Sequence, residues 1–344
     1  MITFSQAFST YFERKAHKFA EQTKISKLQT ADLIVKYMGD LPLNEIKLRD
    51  IERLYDTLEQ DGGYKPATIR KTHTVLRQTL RFAVREELLE KNVAEYAELP
   101  PQPASNPNFL NHEDALDLLQ TIKAKGHHVM HLYTRLLLLT GRRRNELLGL
   151  RWGQIDSKSG VIVFDEAVIY VKKVLSRKEL KNGLVCQNVL PSEILKELLA
   201  LRAFQKIHFN KGNDLDYIFL TDKGELYRPT SITRYYKRIS AKKPYNVTPH
   251  TLRHTVASYL FSQGYREQDI AALLGHKDSS VTRKVYIHHI HDHQLLQRLS
   301  YSLSDTFLST QLSVQDQDPS VSSSSAKAVT DYFYQKFFSE GGDA

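Results

Sequence analysis

The chain has a single cysteine, Cys186, in 344 residues, so it can contain no internal disulfide framework, and a reducing compartment suits it. It also lacks a long apolar run. The short stretch Leu136-Leu-Leu-Leu-Thr-Gly141 cannot cross a bilayer and reads as a buried helix ending in a turn. The start, Met-Ile-Thr-Phe-Ser-Gln, has no basic region leading into apolar residues, so no secretory signal is read there. No Gly-x-x-x-x-Gly-Lys-Ser/Thr loop, no carboxylate cluster of the two-metal kind and no internal repeat is found. The expectation is a cytoplasmic protein with no membrane segment, no metal site and no cofactor. Acidic residues are in deficit, 39 against 48 lysines and arginines, and the net charge of +9 favours a polyanionic partner.

What is present is concentrated in two segments. In Thr248-Pro-His-Thr-Leu-Arg-His254, Thr248 is placed to cap a helix whose first residue is Pro249, because proline's missing N–H costs nothing there. His250, Arg253 and His254 then share one helical face, while Leu252, Val256, Tyr259 and Leu260 fall largely on another. Leu274-Gly-His276 follows, and Tyr286 lies ten residues beyond that histidine. Imidazoles, a guanidinium and a phenol at this spacing suit a phosphate ligand. In the other segment Gly141 is followed by Arg142, Arg143, Arg144, Asn145 and Glu146. Three adjacent arginines alone would be a solvated charge cluster. Here Glu146 stands three residues after Arg143, where its carboxylate can hold one guanidinium while the remaining N–H groups face outward.

These motifs resemble those of the tyrosine recombinase, or phage integrase, family. Gly141 to Glu146 matches its Gly-x-Arg-x-x-Glu turn, His250 to Arg253 its His-x-x-Arg, Leu274 to His276 its Leu-Gly-His, and Tyr286 its nucleophile, with similarity over most of residues 3 to 298. The resemblance implies that Tyr286 attacks a DNA phosphodiester to give a 3′-phosphotyrosine and a free 5′ hydroxyl. Planar guanidiniums suit the charge that gathers on the non-bridging oxygens, so Arg143 and Arg253 form the expected clamp. His250 is the candidate to accept or relay the phenol proton, and His276 to bond a phosphoryl oxygen. Glu146 and His254 are supporting residues. The family also implies a lysine in a β-hairpin that protonates the leaving oxygen. Val161–Phe164, Ala167–Val171 and a segment near Val185 to Leu190 read as strands, with Asn-Gly turn chemistry in Leu180-Lys-Asn-Gly183. Lys181 is the choice, with Lys178 and Lys173 open because hairpin register is not readable.

The fold expected is mainly α with a small antiparallel β-sheet (α+β), an N-terminal helical core-binding domain preceding the recombinase catalytic domain. Residues 1–98 read as the helical domain, with helices at Phe4–Phe19, Lys27–Met38, Leu48–Leu58 and Pro66–Leu89. In the last of these, Arg70, Thr74, Arg77, Arg81 and Arg85 project within an arc of roughly 80°, about 120° from Ile69, Leu76, Leu80 and Ala83, so one side suits a core and the other a phosphate backbone. Prolines make 99–109 an extended linker. Residues 110–303 carry the catalytic motifs, opening with an Asn111-capped helix. Residues 304–344 read as a flexible acidic tail with a Ser-rich stretch, Ser320 to Ser325, and a terminal helix candidate carrying Val329, Phe333 and Phe337. The run His288-His-Ile-His-Asp-His293 reads as part of the nucleophile's helix or its exit rather than as a metal site.

The expected partners are double-stranded DNA attachment sites and, from the resemblance, three further copies in a tetramer that works through a Holliday junction, with the tail helix docking on a neighbouring copy or returning to its own catalytic domain. An excision or host architectural factor is a candidate too. No small arm-binding module stands ahead of residue 3, from which simple core sites are expected. A phage or other mobile element in a bacterial, nucleoid-associated setting is the expected context. Two alternatives stay open: a dimer resolvase or type IB topoisomerase using the same residues, and a non-catalytic DNA-binding regulator that tolerates loss of the phenol.

Overall fold

The computed structural model describes residues 1–101, 108–171, 174–179, 185–275 and 301–307. Contacts divide the chain into two compact units, Met1–Asn106 and Pro107–Ala344. Among the described residues both are mainly helical, and the strands lie in the second.

The first unit packs α1 (Phe4–Lys15), α2 (Glu21–Met38), α3 (Leu48–Gln60) and α4 (Pro66–Arg85). Thr3 and Gln6 close a reciprocal capping box at the start of α1. Phe4, Ile34, Ile51, Leu58, Ile69, Leu76, Leu80 and Ala83 are fully buried, and α4 lies against the other three helices. Boundaries differ from the sequence reading in four places, the smallest being α3, which runs to Gln60 rather than Leu58. Helix α1 stops at Lys15 and continues as a 3-10 turn to Lys18, leaving Phe19 extended. Helix α2 begins at Glu21, well before Lys27. Its first turns are too polar to show periodicity, yet they are rich in good helix formers, and Glu21 favours the N-terminal dipole. Helix α4 ends at Arg85, because the chain turns through Glu87 at φ 59°.

The second unit begins with α5 (His112–Ala124), capped by the Asn111 side chain on the Asp114 amide. Helix α6 (His128–Thr140) is buried on every side from Val129 to Thr140, which is why its sequence reads as a plain apolar run. A short α7 (Arg144–Leu148) leads to β1 (Val161–Phe164), β2 (Glu166–Val171), β3 (Val174–Glu179) and β4 (Cys186–Val189). The strands form two antiparallel pairs, β1 with β4 and β2 with β3. Strand β3 is absent from the sequence reading. Val174 and Leu175 are exposed, so no buried alternation announces it. Its pairing sets Lys178 opposite Ala167 and Val174 opposite Val171. Four helices follow, α8 (Ser192–Phe209), α9 (Pro229–Ser240), α10 (Pro249–Ser262) and α11 (Glu267–Leu274). Residues 301–307 are helical, with Leu303 and Phe307 buried in the same core.

Candidate active site

Gly141 ends α6 in the left-handed conformation, φ 58°. A Cβ there would lie 2.2 Å from Leu274 Cδ2 and 3.3 Å from Val256 Cγ1, so glycine lets the ends of α6 and α11 meet over α10. The chain then passes directly into Arg143, the N-cap position of α7. Glu146, in the first turn, accepts from the Arg143 amide at 3.3 Å and from Arg143 Nη1 at 2.9 Å. The Glu146 side chain is 6% exposed and that of Arg143 52%, so a buried carboxylate holds a guanidinium whose remaining donors face outward.

On α10, Thr248 caps the first turn by accepting from the Thr251 amide, and Pro249 takes the first position. Leu252, Val256 and Leu260 are fully buried. His250 is exposed, but Arg253 is buried rather than presented on an open basic face, and its Nη1 donates to the Gly141 carbonyl at 2.9 Å. Its Nη2 is buried and has no hydrogen-bond partner among the described residues. Burial pushes the Arg253 guanidinium down to about 10, with the neighbouring Arg143 adding to the effect and Glu146 opposing it. His254 Nε2 lies 3.0 Å from His250 Nε2. Burial, then His250 and Arg253, lower the His254 pKa, which favours the neutral imidazole. Arg143 and Arg253, far apart in sequence, therefore converge on the Gly141 turn beside one carboxylate. Tyr286, His276, Lys181 and Lys173 lie outside the described residues, as do the His288–His293 run and the tail from 308. Lys178 is half-buried on β3.

The arginine run is not a solvated cluster. Arg142 is buried. Arg144 donates to the Pro229 carbonyl at 3.1 Å and to Thr233 Oγ1, which ties α7 to α9. The spacing to Glu146 singled out Arg143, but no sequence signal separates the roles of Arg142 and Arg144.

In the first unit, Thr74, Arg77, Arg81 and Arg85 are exposed along α4, and Arg70 is half-buried with Nη2 on the Pro100 carbonyl at 2.8 Å. Arg85 and Arg14 both bond Glu86, so the far end of the stripe is partly neutralised. The near end opens into a groove of about 570 Å³ between α2 and α4, where Thr23, Ser26 and Lys27 face Arg70, Lys71 and Thr74. The contribution of α2 was not legible in the sequence. Lys27 Nζ sits 4.9 Å from the Phe19 ring centroid, a cation held by aromatic faces.

Among the described residues no group of His, Cys, Asp and Glu has the arrangement to hold a metal ion, and no helix is long and apolar enough to cross a membrane.

Residues 108–293 match the phage integrase family, and residues 3–98 match the phage integrase SAM-like domain. A tyrosine recombinase XerC-like protein of Caldanaerobacter subterraneus subsp. tengcongensis is 28% identical over 271 residues, covering 72% of this chain and 68% of its own. The tyrosine recombinase XerC of Bacillus pumilus is 27% identical over 297 residues, 80% and 92% of the two chains. Among solved structures, the Tn1549 transposon integrase in complex with a circular intermediate DNA has a TM-score of 0.71 at 19% identity, covering 87% of this chain and 99% of that one. A lambda integrase tetramer bound to a Holliday junction has a TM-score of 0.64 at 18% identity, covering 81% and 79%. With a helical SAM-like domain ahead of a catalytic unit built around the Gly141 turn, the chain belongs to the phage integrase family and is a tyrosine recombinase.

Proposed function

We propose that the chain integrates or excises a phage or other mobile element by cleaving and rejoining DNA at specific sites through a phosphotyrosine. The convergence of Arg143 and Arg253 around Gly141, with Glu146 holding one of them, carries this reading. Two guanidiniums with outward or unpartnered donors bind the equatorial oxygens of a phosphodiester under attack. Tyr286 supplies the nucleophilic oxygen. The P–O5′ bond breaks as the P–O(Tyr) bond forms, His250 takes or relays the phenol proton, His276 bonds a phosphoryl oxygen, and Lys181 protonates the departing 5′ oxygen. Bond energy is retained in the covalent link, so strand exchange calls for no ATP.

Residues 110–303 act as the catalytic domain. Residues 1–98 form the core-binding domain, its α4 stripe from Arg70 to Arg85 and the α2 side of the groove lying on the phosphate backbone. Four copies assemble on two duplexes, with the segment 304–344 as a contact between them, in the cytoplasm on the bacterial chromosome. The transposon integrase and the tetrameric integrase among the structural neighbours support this context. The XerC relatives favour dimer resolution as the second reading.

The test is adduct formation on a nicked suicide substrate. The wild-type chain forms an SDS-resistant protein–DNA adduct and Tyr286→Phe forms none; an adduct with the phenylalanine variant would remove Tyr286 as the nucleophile. A plasmid carrying two sites then separates deletion between them from intermolecular joining.

A further inference from the structure

Arg142 lies beside the clamp and has no part in the reading above. Its side chain is among the largest fully buried ones, 1% exposed. Nε donates to Asn188 Oδ1 on β4 at 3.2 Å, and Nη2 donates to the Leu273 carbonyl in the last turn of α11. Its guanidinium carbon stands 5.0 Å from the Phe164 ring centroid. Among the described residues Nη1 is buried with no hydrogen-bond partner, 2.8 Å from where a Cβ of Gly275 would stand. Asn188 Nδ2 is buried and has no partner among the described residues either. Among the described residues no carboxylate pairs with Arg142. An uncompensated buried cation weakens a core relative to an apolar side chain of similar volume, so packing does not account for an arginine here.

Its contacts supply another reason. The carbonyl end of α11 is the negative end of its dipole, where a cation is favoured. Gly275, left-handed at φ 67°, caps that end, and its carbonyl lies 3.4 Å from Arg143 Nη1. Gly141, whose carbonyl binds Arg253, immediately precedes Arg142. We propose that Arg142 is a positioning residue for strand cleavage: it ties the end of α11 to β4 and so fixes the Gly275 turn against the Arg143 and Arg253 guanidiniums. The proposal rests on the recombinase reading.

Three variants of the full chain test it: Arg142→Met, Arg142→Lys, and Arg142→Met combined with Asn188→Leu. Each is measured for thermal unfolding, for affinity to target DNA, and for single-turnover adduct formation on the suicide substrate. Arg142→Met is expected to bind DNA within about twofold of wild type and to cleave roughly 100-fold more slowly, the scale of a small misplacement of catalytic groups. Arg142→Lys, which keeps the charge and one donor, recovers about tenfold of that loss. The double variant replaces a buried polar pair with apolar side chains, so it regains stability but stays slow. A double variant that cleaves at the wild-type rate, or Arg142→Met cleaving within twofold of it, overturns the proposal. If Arg142→Met fails to fold, the lysine and double variants decide by the same criterion. A wild-type chain that forms no adduct overturns the recombinase reading and this inference together, whereas a normal wild-type adduct with an equally fast Arg142→Met overturns only the inference.

Discussion

Replacing Glu146 by glutamine separates two consequences of one charge. The carboxylate accepts from the Arg143 amide and from Arg143 Nη1, and its field also supports the buried Arg253 cation. A unit charge pair at about 4 Å is worth about 4 kcal/mol at an effective dielectric near 20. Arg143 is more than half exposed, however, and screening reduces its share to about 1 kcal/mol or less. Glutamine keeps a neutral acceptor, so the net destabilisation is about 1–2 kcal/mol, a fall in Tm of roughly 2–8 °C for a unit of this size. The effect on DNA is two-sided. Removing a negative charge strengthens attraction for the scissile phosphate, while freeing Arg143 loosens the planar fork that must meet the transition state. Orientation is expected to win, because bidentate binding depends on the plane of the guanidinium, whereas one added charge is screened within about 8 Å at physiological salt. Glu146→Gln should therefore bind target DNA as well as wild type or better and form the covalent adduct roughly 100-fold more slowly. Filter binding and single-turnover cleavage on the suicide substrate measure the two quantities. Cleavage as fast as wild type, or faster, would refute the role given to Glu146.

Three further outcomes follow from the geometry. Gly141→Ala puts a Cβ at φ 58° against Leu274, and left-handed strain plus overpacking should destabilise the second unit by about 2–4 kcal/mol; calorimetry showing no loss would count against this turn. His131 is buried, and burial, then Arg135, Lys123 and His128, push its pKa down to about 3. The folded chain thus resists a proton that the unfolded chain binds below about 6.5, so stability falls with pH from 6.5 towards 3 by about 1.4 kcal/mol per unit. Urea unfolding at pH 7 and pH 5 should show this share of acid sensitivity vanishing in His131→Leu, and equal slopes in the two proteins would contradict it. Finally, Arg77→Ala and Arg81→Ala should each lower the salt dependence of DNA affinity by roughly 0.9 in log–log slope, provided each arginine meets one phosphate; an unchanged slope removes the stripe from the interface.

The helices of both units were legible where a cap or a stripe of apolar residues announces them, as at Thr248-Pro249, Asn111 and the face of α4 carrying Ile69, Leu76 and Leu80. The start of α2 was not, because Ile25 is the one apolar residue in its first two turns and shows no periodicity. Strand β3 was not, because its only apolar side chains face solvent and its existence depends on pairing with β2.

By itself the sequence determined the chemistry available and its local framing: which guanidiniums, imidazoles and phenol occur, in what order, and which helix starts and glycine turns hold them. Those properties are set within about one helical turn, by capping, periodicity and backbone freedom. Only the tertiary structure decided where adjacent side chains go. Arg142, Arg143 and Arg144 are chemically equal neighbours, yet one is buried against Asn188 and Leu273, one reaches outward from Glu146, and one ties α7 to α9. The physical reason is that each direction is chosen by a surface brought in from far along the chain, and the Gly141 turn that precedes them is shaped by the close approach of Leu274.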